Sequence, residues 1–236
     1  MRDIIQLKMS LIGSDPVIWR RVLVKKELTF YGLHCIIQQL MDWNDEHMYD
    51  FVIDGKRLTE GDDIDFSEML DLLRNNNEVE EELEDEEDDR DEEEDHPLHQ
   101  TLGELLTKVN KKFKYEYDYG DNWEISIQVE KYLDIDKNIE YPRLIDGALN
   151  GPPEDCGGIW GYYNLVEALE NKKHPDHDEI SDWIGEYDPN YFNMNELNHI
   201  LINGYEIDED DDEDDIDDEQ EKPKIEIVET KKPKKR

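Results

Sequence analysis

The sequence predicts an α+β fold: a β-grasp-like mixed sheet with one packed helix, followed by C-terminal helices. Three observations carry that prediction. Segments near 5–11, 47–53, 113–119 and 123–129 alternate apolar and polar residues with the period of two of half-buried strands. Residues 33–41 repeat apolar side chains at i, i+3, i+4, i+7 and i+8, which is one stripe of a helix that has a sheet to cover. The other helical patterns collect in the C-terminal half, so helices and strands are segregated rather than alternating.

Taken in order, Ile5, Leu7, Met9 and Leu11 share one face of a strand and Gln6, Lys8 and Ser10 the other. Gly13-Ser14-Asp15-Pro16 breaks it, and Val17 to Val24 returns, so residues 3–25 form a hairpin. Thr29 caps the helix that carries Leu33, Ile36, Ile37, Leu40 and Met41. His47 to Ile53 is the next strand and ends at the Asp54-Gly55 turn, and residues 66–74 form a short helical pattern. Thr101 and Glu104 have capping-box spacing for a helix reaching Val109. Phe113, Tyr115, Tyr117 and Tyr119 face one way on a strand, and Trp123, Ile125, Ile127 and Val129 on its partner, with Gly120-Asp121 making the tight turn through the positive φ that glycine admits. Residues 141–162 are expected as one ordered Pro/Gly-rich loop. Helices are expected at Tyr163–Asn171, Ile180–Tyr187 and Met194–Ile202, and the loop around His174 to Asp178 as a solvated linker.

Charge divides the chain of 236 residues unevenly. The formal net charge is −39, yet Glu78 to Asp95 alone holds fifteen acids against Arg90, and Glu206 to Glu221 holds thirteen acids and no base. Lys222 to Arg236 is basic, and the remainder carries about −17, ordinary for a soluble body. Like charges with little to bury predict disorder at 77–96 and 206–236. One domain is therefore expected from 1–76 with 97–205, split by the acidic insertion and trailed by an acidic and then basic tail.

Several classes are excluded. No run of eighteen apolar residues occurs, so no membrane span is expected. Cys35 and Cys156 allow at most one disulfide and no zinc site of their own, which fits a reducing, cytoplasmic setting. Lys231-Lys232-Pro233-Lys234-Lys235-Arg236 resembles a nuclear-import signal if the host is eukaryotic, and is a basic tail otherwise. No Walker loop, GxGxxG, GxSxG, HExxH or EF-hand pattern is present, so no cofactor is expected.

Five motifs then appear in order: Pro16-Val17-Ile18-Trp19-Arg20-Arg21; Leu33-His34 with Ile37-Gln38; Trp43 with His47-Met48-Tyr49-Asp50-Phe51; Tyr117-Asp118-Tyr119-Gly120-Asp121-Asn122-Trp123; and Pro152-Pro153-Glu154-Asp155-Cys156-Gly157-Gly158 with Gly161-Tyr162. Over about residues 3–204 the chain resembles the plasmid pRiA4b ORF-3-like family. The resemblance implies an α+β, β-grasp-like domain and an association with plasmids and mobile elements. It implies little about activity.

The candidate surface combines Arg20 and Arg21 as anion partners, His47, Asp118, Asp121 and Trp123 at the turn, and Glu154 with Asp155 on the glycine-flanked loop. Paired carboxylates hold hard cations or divide acid and base roles, but Asp before Gly also caps turns, and Glu-Asp after Pro-Pro also caps a helix or pairs with arginine. His34, His47 and Asp118 are the candidate ligand set for a divalent transition metal. An acidic body and two acidic tracts repel phosphate, so direct nucleic-acid binding by the body is not expected, whereas the tracts suit basic protein partners. The leading expectation is a non-enzymatic binding or adaptor protein; the alternative is a metal-dependent hydrolase or nuclease using the clustered carboxylates and histidine.

Overall fold

A computed structural model of the chain describes residues 2–59 and 97–204. The expected helix at 66–74 and the two acidic tracts lie outside the described residues. Seven strands form one sheet in the order β4-β3-β5-β6-β1-β2-β7: β1 Ile4–Leu11, β2 Trp19–Lys25, β3 Tyr49–Ile53, β4 Lys56–Thr59, β5 Lys112–Tyr117, β6 Trp123–Leu133 and β7 Arg143–Ala148. Helices α1 (Phe30–Met41), α2 (Leu102–Leu105), α3 (Gly158–Glu170), α4 (His177–Ile184) and α5 (Met194–Asn203), with a 3₁₀ turn at Pro97–His99, complete an α+β fold. All six strand pairings are antiparallel, so the parallel pair that a mixed β-grasp sheet would carry does not occur among the described residues.

Register decides which side chains reach the core. In antiparallel pairs, directly opposed residues share a face. Met9 opposes Arg20 and Ile127, and Ile127 opposes Phe113, which places these side chains on the face that α1 covers. Phe30, Leu33, Ile36, Ile37, Leu40 and Met41 of α1 are all buried against it. Lys8 opposes Arg21, and Glu116 opposes Asp50 and Glu124, so these occupy the other face. That face is an ion-pair lattice in which Arg21 bridges Glu130 and Asp146, and Lys114 bridges Glu116 and Glu124. Each such partly exposed pair contributes little alone, but together they fix a polar face.

Several expected boundaries move. The stretch 141–162 is not one loop: it contains β7 and the first turn of α3, which starts five residues before Tyr163. β7 shows only Leu144 buried, as an edge strand of six residues shows no clean alternation. β4 pairs with β3 across the Asp54-Gly55 turn, where both residues have positive φ. The capping-box helix stops at Leu105, because Leu106 leaves helical geometry at φ −97° and ψ 77°. The segment expected as a solvated linker ends where α4 begins, at His177 rather than Ile180, and His177 Nδ1 lies 2.8 Å from the Ala168 carbonyl of α3.

One side chain ties the last helix to the edge strand, beside the buried Ile200 and Leu201. Asn198, 4% exposed, accepts from Leu144 N at 2.8 Å and donates to Leu144 O at 2.8 Å, so its amide pairs with β7 as another strand would. No helix among the described residues is long and apolar enough to cross a membrane.

Candidate functional site

Three loops meet at one end of the sheet: 42–48 between α1 and β3, 118–122 between β5 and β6, and 149–157 before α3. Each is tied to another by hydrogen bonds. Trp43 Nε1 donates to Pro152 O at 2.9 Å, and its indole stacks on Tyr117 with centroids 4.9 Å apart. The Glu154 carboxylate accepts from Asn44 N at 2.8 Å and from the Tyr117 hydroxyl. Asp121 Oδ2 accepts from Gly157 N at 3.0 Å. The backbone of Asp118 donates to Met48 O at 3.0 Å.

Two glycines in the Pro-Pro-Glu-Asp-Cys-Gly-Gly region answer to close approach. A Cβ on Gly151 would collide with the Met41 carbonyl at the end of α1, and one on Gly158, whose φ is +65°, with the Asp121 carbonyl. The loop therefore lies directly against α1 and against the β5–β6 turn. That turn differs from the expected tight hairpin. Positive φ falls on Asp118 (53°) and Asn122 (56°), not on Gly120, and Asn122 N donates to Asp118 O at 2.6 Å. The Asp118 side chain stabilises it by accepting from Gly120 N at 2.8 Å. Because the strand stops at Tyr117, Tyr119 is not on the core face with Tyr115 and Tyr117; it is 52% exposed.

His47, Asp118 and Asp155 converge. His47 Nε2 lies 3.2 Å from Asp155 Oδ1 and 3.8 Å from Asp118 Oδ2. One ligand atom from each residue falls within 4.8 Å of the others. The ring nitrogen is buried and has no hydrogen-bond partner, which is unusual for a buried polar atom.

His34 stands apart from this cluster, contrary to its place in the expected ligand set. It is fully buried, stacks on Tyr49 at 3.6 Å, and its ring nitrogens lie 2.8 Å from the Tyr115 hydroxyl and 2.8 Å from Asp45 Oδ1. Burial pulls its imidazole below the ordinary histidine range against the opposing pull of Asp45. Asp155 stands with His47 and Asp118 in its stead.

Arg20 does not serve as a surface anion partner, and Arg21 is engaged by carboxylates of its own sheet. Arg20 is 1% exposed and directs its guanidinium at the carbonyls of Leu40, Trp19 and Ala148, which binds α1 and β7 to β2. Burial lowers it to about 10. Arg21 faces the opposite side of the sheet and pairs with Glu130. Trp123, 2% exposed, is core rather than contact surface, packed against Trp43. Burial, reinforced by Asp121, pushes the Cys156 thiol up to about 12, so it is a poor nucleophile, and both cysteines are free thiols.

The placement of two further residues is not evident in the sequence. Tyr117 is a hinge of the loop clamp, although its alternation marks it only as core. Trp160, in the first turn of α3, is 81% exposed beside Tyr163. Placing the helix start at Gly158 would have put Trp160 on the face away from the buried Tyr162 and Leu165.

Residues 3–196 match the model of a family described as plasmid pRiA4b ORF-3-like protein. An uncharacterised protein of Sinorhizobium fredii, y4hQ, is 32% identical over 202 residues, covering 83% of this chain and 89% of that one. The crystal structure of a protein of unknown function from Methanosarcina mazei, MM3350, is similar at a TM-score of 0.61 and 29% identity, covering 82% of this chain and 96% of that one.

Proposed function

The chain belongs to the plasmid pRiA4b ORF-3-like family, and from that premise we propose that it is a non-enzymatic binding or adaptor module associated with mobile genetic elements. The observation that carries this reading is the internal engagement of the motif's polar groups. Glu154 and Asp121 accept from backbone N–H groups of neighbouring loops, Asp118 Oδ1 caps its own turn, and Arg20 is directed at carbonyls. A general acid–base pair needs carboxyls free to exchange protons with substrate; these hold a rigid surface instead. Around that surface Met48, Tyr119 and Trp160 expose large apolar side chains, at 62%, 52% and 81%. The acidic tracts at 78–95 and 206–221 supply long-range attraction for basic partners.

Purified chain incubated with single- and double-stranded DNA in Mg²⁺, Mn²⁺ or Zn²⁺ is expected to show no turnover. Turnover that Asp118→Asn abolishes while the fold persists would overturn the reading. For the partner class, salt-sensitive binding of a polylysine probe is expected, and its loss when both tracts are deleted at unchanged melting temperature.

The metal-dependent hydrolase or nuclease is the second reading, and one observation favours it: the convergence of His47 with Asp118 and Asp155. Against it, the loop carboxyls Glu154 and Asp121 are both engaged by backbone N–H groups.

A further inference from the structure

We propose that His47, Asp118 and Asp155 bind one divalent transition-metal ion, of the zinc or manganese class, which clips together the three loops at this end of the sheet. The inference does not depend on the adaptor reading.

Chemistry selects the ion class. Two carboxylates alone would suit magnesium or calcium, but an imidazole nitrogen in the set favours zinc, manganese or iron over those hard ions. Two negative charges balance the dication. Ligands about 2.1 Å from such an ion stand roughly 3.0–3.4 Å apart when adjacent. The His47 nitrogen is already 3.2 Å from Asp155 and 3.8 Å from Asp118, and the third separation is within 4.8 Å.

A second observation points the same way. His47 Nε2 is shut off from water and donates or accepts no hydrogen bond, although two carboxylate oxygens lie before it. An ion pair alone would be expected to align its proton with one of them; a metal between them needs the nitrogen lone pair and no such alignment. The ligands are also held from behind. Asp118 Oδ1 is fixed by Gly120 N, which leaves Oδ2 toward the histidine, and the Tyr117 ring packs edge-on to the imidazole at 5.7 Å. Such supporting contacts orient metal ligands. Three protein ligands leave at least one coordination position for water or for a donor from a bound molecule.

The acidic tracts will also attract cations, so the test must separate the two. The full chain, stripped with chelator, is titrated with Zn²⁺ by calorimetry and with Mn²⁺ by amide-resonance broadening. One site per chain is expected, with broadening centred on residues 44–48, 118–121 and 154–157. Asp155→Asn, a change at an exposed side chain, is expected to weaken that site at least tenfold, and His47→Gln to do the same. Superimposable titrations of the parent and Asp155→Asn, with broadening confined to the tracts, would overturn the proposal; the cluster would then be an ion pair only. Polylysine binding measured in chelator tests the adaptor reading separately, so either can fail without the other.

Discussion

Replacing Glu154 by alanine tests whether the loops at the sheet end form one rigid unit. The carboxylate accepts from Asn44 N and from the Tyr117 hydroxyl, joining three segments through one side chain. Hydrogen bonds to a charged acceptor contribute about 1.5–3 kcal/mol each when buried, and this one is half-buried, so the pair together is worth about 2 kcal/mol. That loss corresponds to roughly a 30-fold faster opening-limited exchange of the Asn44 amide. Glu154→Gln keeps one acceptor for Asn44 N and presents its amide N–H to the tyrosine oxygen, so about half of the loss is expected. The assay is amide hydrogen exchange at residues 44–48 and 155–158, with urea unfolding in parallel. Exchange at Asn44 unchanged in Glu154→Ala, with stability within about 0.5 kcal/mol of the parent, would show that the clamp does not hold the loops.

Three further outcomes follow from the geometry. Asn198→Ala removes both bonds to Leu144 and the one to Met194 O, leaving the Leu144 N–H and C=O without that partner; a loss of about 3 kcal/mol is expected in urea unfolding, and a value under about 1 kcal/mol would mean that water replaces the amide. His34 binds its proton less readily when folded than when unfolded, so its contribution is complete above the unfolded value near 6.5 and is lost as pH falls below it, with a slope of at most about 1.4 kcal/mol per pH unit; His34→Gln should lack that slope between pH 7.5 and 5.5, and an identical slope in the variant refutes the assignment. Gly158→Ala forces a side chain onto positive φ and into the Asp121 carbonyl, and should lower the melting temperature by several degrees while releasing the Gly157 N–H to exchange.

Much of the fold was legible because its central elements are strongly periodic. β1, β5 and β6 alternate cleanly, and the α1 stripe and its Thr29 cap are where the pattern puts them, with Thr29 accepting from Gly32 N. The edge strands β4 and β7 were not legible. β4 is four residues with Lys56 and Arg57 exposed, and β7 hides only Leu144, so neither leaves a period to read. The candidate site was half legible. Residue types named His47, Asp118 and Asp155, but only tertiary contact shows that Asp155 and not His34 accompanies them. Arginine at 20 and 21 looks alike in sequence; the pairing of Met9 with Arg20 and of Lys8 with Arg21 sends one inward and one outward.

The strand order also bears on how the molecule is made. β1 leaves the ribosome before the other strands of this sheet, yet it lies between β2 and β6, and β6 begins more than a hundred residues later. At about 5–20 residues per second of synthesis, that partner arrives on the order of 5–20 s after β1. Until then the nascent hairpin carries Ile5, Leu7, Met9 and Leu11 on one face and an unpaired edge along its length. Chains truncated before Leu133 should therefore emerge aggregation-prone and dependent on chaperones, while a chain that has passed β6 can close its sheet from the middle outward.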